Sequence, residues 1–421
     1  MVSQRKRILF AFKLVPFPLR AHGVSVRYLP IIQYLSQSHD IDLIVINGKE
    51  EELRHLDGLR EYCRKISVVP DPRCDLHHLF TKCVTYAKFL LPWTPPISVV
   101  AHNGSNVTRG IVETVKKEHY DALIYVGAYL LPNLISALPL MSVGNVFVDF
   151  IDSPYLWANR AKEITFRFGP LERYERWKTC QWEGKIIRKV NATIYISRID
   201  AEAVPSGLAP LGKRHVVPNG VNIPSFSAME SIALPSPIIG FLGNMRYPPN
   251  VEAVLWMYKE VFIPMKKLRP DLTLLIIGRN PDPLIQELKN NPDVIVTGTV
   301  DDIWEYVHAV DVFVFPLWTG AGLKNKILEA MYASRTVVTT PIGNEGIEAI
   351  SGKDLIICDK SEDFIQEVQL LLNSPDIRSR IGSSAHAFVE EKFSWKRILK
   401  TYEKLIVENI APSERNFPER T

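Results

Sequence analysis

The 421-residue chain has no apolar run approaching the roughly 18–20 residues that a spanning helix needs, so the sequence predicts no transmembrane segment. Its start, MVSQRKRILFAFKLV, passes from basic to apolar. The apolar part is too short for a signal peptide and has no small-residue cleavage site, so residues 7–13 read as a first buried strand. Asn106 and Asn191 stand in glycosylation-type tripeptides, which carry little weight without a secretion signal. Cysteine is sparse, at 63, 74, 83, 180 and 358, with an odd count and no CxxC. That pattern argues against a disulfide framework and for a reducing, cytoplasmic setting. Cys74, His77, His78 and Cys83 lie close together, but their spacing fits no usual zinc pattern, and no metal is expected. Excess charge is also lacking: the net value is +4, without the concentrated basic cluster of a nucleic-acid binder. A mild excess suits anionic ligands or an anionic membrane surface. The first strand runs into VPFPLRAHG rather than GxGxxG, which argues against a dinucleotide oxidoreductase.

What is present is a globular α/β pattern, 46% hydrophobic and 23% charged. The length points to two domains. Apolar β-rich runs at 8–12, 41–46, 122–126, 146–150 and 192–196 alternate with helix-length segments such as 106–118 and 170–190, the sign of parallel βαβ units. Residues 205–237 are dense in Pro, Gly and Ser, as at a domain edge. The pattern then restarts, with strands expected at 238–243, 272–278, 294–298, 311–316 and 336–340 and helices at 250–267 and 323–333. The tail 393–410 carries Ile398, Leu399, Tyr402, Leu405 and Ile406 on one helical face. The expected domains are 1–218 and 219–392, both doubly wound and Rossmann-like, with a closing helix in 393–421. Ligands bind such sheets outside the carboxyl ends of the strands, here expected at the cleft between domains.

The most informative segment is 315–346, FPLWTGAGLKNKILEAMYASRTVVTTPIGNEG. A strand ends at Pro316, Gly320 and Gly322 make a turn, and a helix starts near Leu323. Backbone N–H groups at such a start favour a phosphate, and glycine permits its close approach. Leu323, Ile327, Ala330 and Met331 share a buried face. Asn325, Lys326 and Glu329 lie opposite, and Lys324 flanks the stripe at the first turn. Lys324 suits a diphosphate as a point charge, and Glu329 suits ribose hydroxyls. The competing reading is an ordinary amphipathic helix with a Lys326–Glu329 surface pair at i, i+3.

This segment resembles the donor-binding motif of glycosyltransferase family 4, whose members have the GT-B fold and retain anomeric configuration. Further pieces fall in the same order: RILFAFKLVPFPLRAHGVSVRYL with Gly23 in its loop, ISRIDAEAV (196–204), VVPNGVN (216–222), GFLGNMRYPPNVEAVLWM (240–257), IIGRNP (276–281), VTGTVDDI (296–303) and FSWKRI. The resemblance implies a retaining hexosyltransferase using a UDP- or GDP-type sugar, with no cofactor. It implies donor contacts at Gly23, Asn244, Arg246, Arg279, Thr299, Gly322, Leu323, Lys324, Asn325 and Glu329. Glu329 falls on the family's ribose-binding glutamate. The second family glutamate, eight residues earlier, is replaced by Ala321, which puts the donor sugar in doubt. A branch handling cell-surface polysaccharides shares the G-x-G-x-K-N-K form, which implies a role in polysaccharide or glycoconjugate synthesis.

On the acceptor side, DFIDSPYLWANR (149–160) offers Asp152 to orient a hydroxyl. Equally, Asp152-Ser153 could cap a helix starting at Pro154. In such retaining transferases the departing phosphate can itself take the proton, so no catalytic dyad is expected. Residues 160–198 hold ten Lys/Arg against four Glu, interleaved with Phe166, Phe168, Tyr174, Trp177 and Trp182, and 79–93 adds LFTKCVTYAKFLLPW. That mixture suits a lipid-linked acceptor or peripheral contact with the inner face of the membrane. The alternative is a solvated helix with its aromatics packed inward. A sugar or small-molecule acceptor remains open. Two other functions fit the pattern: an epimerase on the same fold, for which no acid/base pair stands out, and a non-catalytic nucleotide-sugar-binding protein, made plausible by Ala321.

Overall fold

Strand β1, Arg7–Phe12, is fully enclosed from Ile8 to Phe12. A strand covered on both faces has no polar side, so its sequence reads as an unbroken apolar run. In the computed structural model, which describes residues 5–19, 22–46, 50–70, 89–97, 105–128, 131–160, 169–221, 232–320 and 322–408, β1 is an interior strand of a seven-stranded sheet. The other strands of that sheet are β2 (Asp40–Ile46), β3 (Lys65–Val69), β4 (Ala122–Val126), β5 (Asn145–Ile151), β6 (Ala192–Tyr195) and β7 (Arg214–Val216). The order is β3-β2-β1-β4-β5-β6-β7, every pairing parallel. Helices α1 (Gly23–Leu35), α2 (Pro154–Arg160) and α3 (Gly169–Lys189) belong to this unit.

A second sheet has six strands: β8 (Ile238–Leu242), β9 (Thr273–Ile277), β10 (Val294–Val296), β11 (Val312–Phe315), β12 (Thr336–Thr339) and β13 (Ile356–Ile357). Its order is β10-β9-β8-β11-β12-β13, again parallel. Helix α4 (Pro248–Trp256) follows β8 and α5 (Asn325–Tyr332) follows β11. The chain divides into two compact units, Met1–Pro218 with Ile398–Thr421, and Asn219–Arg397. The last helix, α6 (Trp395–Glu408), begins in the second unit and ends in the first.

Three strands were not expected from the sequence: β3, β7 and β13. All lie at sheet edges or are very short, and β3 is only partly buried along most of its length. An edge strand has one unpaired side and needs no continuous apolar run. The helix expected over 250–267 is broken by a π turn at Met257–Phe262, where the Ile263 N–H reaches back five residues to Tyr258. Pro264, which has no N–H, follows in the next turn, and the wider turn accommodates it.

Candidate functional site

In the second sheet, β8 and β11 are neighbours, with Ile239 opposite Val312. From β8 the chain winds outward to β9 and β10, and from β11 to β12 and β13 in the other direction. At such a reversal the loops leaving the carboxyl ends diverge and open a crevice. Every second-unit residue singled out in the sequence leaves from this edge: Asn244 and Arg246 after β8, Arg279 after β9, Thr299 after β10, and Gly322, Leu323, Lys324, Asn325 and Glu329 after β11. Asn244, Arg246 and Thr299 are exposed and Arg279 is half-buried.

The strand ends are stitched together. Gly243 N–H donates to Ile277 O at 3.0 Å, Met245 N–H to Arg279 O at 3.0 Å, and Asp282 N–H to Met245 O at 3.0 Å. A Cβ on Gly278 would lie 1.7 Å from Gly243 O, so the two loops can meet only over glycine.

After β11 the turn needs glycine too: Gly320 has φ 108° and Gly322 φ 76°. Ala321 lies outside the described residues. The helix starts at Asn325, two residues later than the sequence pattern suggested. Leu323 is buried and Lys324 takes a non-helical φ of −89° and ψ of 80°, so helical geometry begins only beyond it. The Lys324 ammonium is buried and donates to Gly322 O at 2.7 Å. Asn219, from the VVPNGVN piece, donates its amide to Asn325 Oδ1 at 3.3 Å.

Lys326 corrects the wheel. It was expected opposite the buried face, and in the competing reading paired with Glu329 at the surface. Instead its ammonium donates to Asn250 Oδ1 and lies 5.2 Å from the centre of the Phe241 ring. Asn250 in turn donates to Asn244 O at 2.8 Å. These contacts bridge the loop after β8 to the helix after β11, across the crevice. Side chains in a first helical turn lean back toward the N-terminus, which carries Lys326 over the turn rather than into solvent. Lys326 is half-buried as a residue, with its ammonium held against Asn250 and the Phe241 ring. Burial pushes the ammonium down to about 7, nearby Lys324 adds to the fall, and Glu329 opposes it. Glu329 is half-buried. Thr319 donates to Glu252 at 3.2 Å and Trp318 meets Trp256 edge-on at 5.5 Å, joining α4 to the loop after β11.

The first unit has the equivalent reversal between β1 and β4. Gly23, expected within a loop, is the first residue of α1 and is exposed; a Cβ there would meet nothing within 4 Å. At the carboxyl end of β5, Asp149 is fully buried and bonded to Arg27 at 2.8 and 3.1 Å. Ile151 then takes φ 68°, an unusual conformation for a β-branched residue, and the β5–β6 register shifts there. Asp152 follows, half-buried. The start of α2 is capped by Ser153, whose Oγ accepts from Leu156 N–H at 3.2 Å.

Behind that cap stands Glu183, one of the four glutamates counted against the basic residues of 160–198. It is buried, and accepts from Ser153 Oγ, Tyr155 N–H and Tyr195 Oη, each at 3.0 Å. Burial pushes its carboxyl up to about 7 despite these bonds. Among the described residues no group of three or more His, Cys, Asp or Glu is arranged to hold a metal, and no helix is long and apolar enough to cross a membrane. The 74–83 cluster lies outside the described residues.

Residues 236–374 match the family model for glycosyl transferases group 1, a stretch that contains every second-unit candidate. An uncharacterised protein of the cps region of Klebsiella pneumoniae is 27% identical over 169 residues, 38% of this chain and 44% of that protein. The capsular polysaccharide biosynthesis glycosyltransferase CapM of Staphylococcus aureus is 24% identical over 184 residues, 41% of this chain and 47% of its own. The chain spans less than half the length of the curated relatives it matches. Among solved structures, sucrose-phosphate synthase from Thermosynechococcus elongatus aligns with a TM-score of 0.71 at 15% identity, covering 96% of this chain and 99% of that one. Anabaena HepE in complex with UDP aligns at 0.64 and 13% identity, covering 96% and 100%. The fold is GT-B, two Rossmann-like domains in one chain.

Proposed function

We propose that this chain is a glycosyltransferase that moves a sugar from a nucleoside-diphosphate donor to an acceptor hydroxyl with retention, in the synthesis of a polysaccharide or glycoconjugate. The observation that carries the reading is the crevice between β8 and β11, where a glycine turn and two enclosed lysines converge within the stretch matching group 1 glycosyl transferases. HepE structures solved with UDP and with UDP-glucose are consistent with a UDP-type donor, with GDP the other candidate. The capsular role named for CapM is consistent with the product class.

In this reading Lys324 and Lys326 face the diphosphate and hold the negative charge that grows as it departs. No metal is invoked. Asn244 and Arg246 border the same phosphates, Glu329 accepts from the ribose hydroxyls, and Arg279 and Thr299 flank the base. Gly322, Leu323 and Asn325 present backbone at the turn. Asp152 orients the acceptor hydroxyl, and Gly23 leaves room at the start of α1. The bond from the anomeric carbon to the phosphate oxygen breaks, the acceptor oxygen bonds on the same face, and its proton passes to the departing phosphate. The acceptor is a sugar, a small molecule or a lipid-linked saccharide. Ala321, standing where the second family glutamate is found, favours one other reading, a binding protein without turnover.

A thermal-shift panel of UDP, GDP, dTDP, ADP and CMP with their sugars tests this. A ligand at about a hundred times its dissociation constant adds roughly 2.7 kcal/mol to the native state. One responding nucleotide, followed by release of its diphosphate when acceptor is added, is expected. Binding without turnover would select the non-catalytic reading, and no response from any nucleotide sugar would remove both.

A further inference from the structure

Residues 89–97 hold their backbone against a helix while turning Leu90, Leu91 and Trp93 outward, with Phe89 and Ile97 buried at either end. Trp93 is 72% exposed and Leu90 62%. The backbone beneath them is clamped to α3. Buried Lys178 donates to Phe89 O at 2.6 Å, Leu91 O at 3.0 Å and Thr94 Oγ1 at 2.9 Å. Tyr174 Oη donates to Leu90 O at 3.1 Å, and Ile97 N–H donates to buried Glu175 at 3.0 Å. The Phe89 ring meets Tyr174 edge-on at 5.4 Å, and Tyr174 stacks on Trp177 at 5.6 Å. Trp177, which the sequence left as either interfacial or packed inward, is 46% exposed. Enclosing an ammonium to satisfy loop carbonyls is costly, and burial lowers the Lys178 pKa accordingly. The result is a fixed platform that turns tryptophan and leucine toward solvent.

Charge complementarity identifies the occupant. Arg173 is exposed one turn before Trp177 on the same face of α3, and Arg188 and Lys189 are exposed at the end of that helix. The carboxylates of α3 do not offset them at the surface: Glu175 and Glu183 are buried and Glu172 pairs with Arg176 at 3.1 Å. Exposed tryptophan and leucine beside uncompensated arginine is the composition of an interfacial anchor, apolar side chains entering the acyl boundary and cations meeting anionic headgroups.

We propose that the Leu90–Trp93 platform with Trp177 and Arg173 docks this protein on an anionic lipid bilayer. The inference goes beyond the transferase reading and does not depend on it, because lipid binding and nucleotide binding are measured separately. The test is flotation of the full chain with vesicles of phosphatidylcholine alone or mixed with phosphatidylglycerol. Wild type is expected to float with the mixed vesicles. The double variant Leu90→Ser with Trp93→Ser is expected to lose at least tenfold in partitioning while keeping its melting midpoint and its nucleotide response. Arg173→Glu is expected to lessen the preference for phosphatidylglycerol. The proposal is overturned if wild type ignores both vesicles, if the double variant floats as wild type does, or if wild type sediments as a dimer that the double variant dissociates.

Discussion

Lys324 and Lys326 stand two positions apart at the start of α5, and both ammonium groups are enclosed. Two such cations at a helix start suit a diphosphate. Replacing Lys326 by Met should weaken nucleoside-diphosphate binding by roughly tenfold to a hundredfold, since a hydrogen bond to a charged group contributes about 1.5–3 kcal/mol. Affinity for the bare nucleoside should not change; titration calorimetry of both ligands checks this. A pH dependence follows. With its folded value near 7 and its ordinary value 10.5, Lys326 binds fewer protons in the native state than in the unfolded one between those limits. Stability should therefore rise with pH from about 7 toward 10.5, and Lys326→Met should remove that part of the rise in urea titrations. Lys326 also shows where sequence reasoning ran short. A helical wheel gives a residue's angle around the axis but not its lean along it, so a lysine two residues into α5 read as solvent-facing. The strand, turn and helix that carry Lys324 and Glu329 were legible because the glycine turn is itself a strong signal. Asn250, the partner that holds Lys326, carries no local pattern that reveals it.

At the scale of elements, both candidate regions depend on how a helix begins. In α5 the start is set by Gly320 and Gly322. Gly320→Ala meets no atom within 4 Å at the new Cβ, so its effect is backbone strain alone, about 1–3 kcal/mol. Denaturant titration should show that loss together with weaker donor binding. In α2 the start is set by Ser153 and Glu183. The Glu183 carboxyl is raised from 4.5 to about 7, so the native state holds a proton that the unfolded state has released between those values. Its stabilising contribution is full below about 4.5 and is lost as pH rises through 7. Glu183→Gln can still accept from Ser153 and Tyr155, and should flatten the stability profile between pH 4.5 and 7. A profile that keeps its slope would remove Glu183 as the titrating group. The strands read most easily were β1, β4, β5, β8, β9 and β11, which have neighbours on both sides and are largely apolar. Strands β3, β7 and β13 escaped because edge positions place weaker demands on composition.

At the scale of the whole molecule, α6 begins in one unit and ends in the other. In the first unit Glu403 accepts from Tyr34 at 2.8 Å and Ser38 at 3.1 Å, and Tyr402 is fully buried, its ring 5.8 Å from the Arg27 guanidinium that pairs with Asp149. Tyr402→Ala should cost on the order of 3–5 kcal/mol, as for other buried aromatic truncations, and lower the melting temperature of the first unit. The apolar face of α6 was legible from its spacing; Arg27–Asp149, the ion pair it covers, was not, because the partners lie 122 positions apart. The central claim is that the crevice between β8 and β11 holds the nucleoside diphosphate of a sugar donor. The most direct measurement is calorimetric titration of the responding nucleoside diphosphate into wild type and Glu329→Ala, with the melting midpoint as the folding control. An affinity at least tenfold weaker at an unchanged midpoint is the expected result. Equal affinity for the two proteins would place the donor elsewhere and contradict the account.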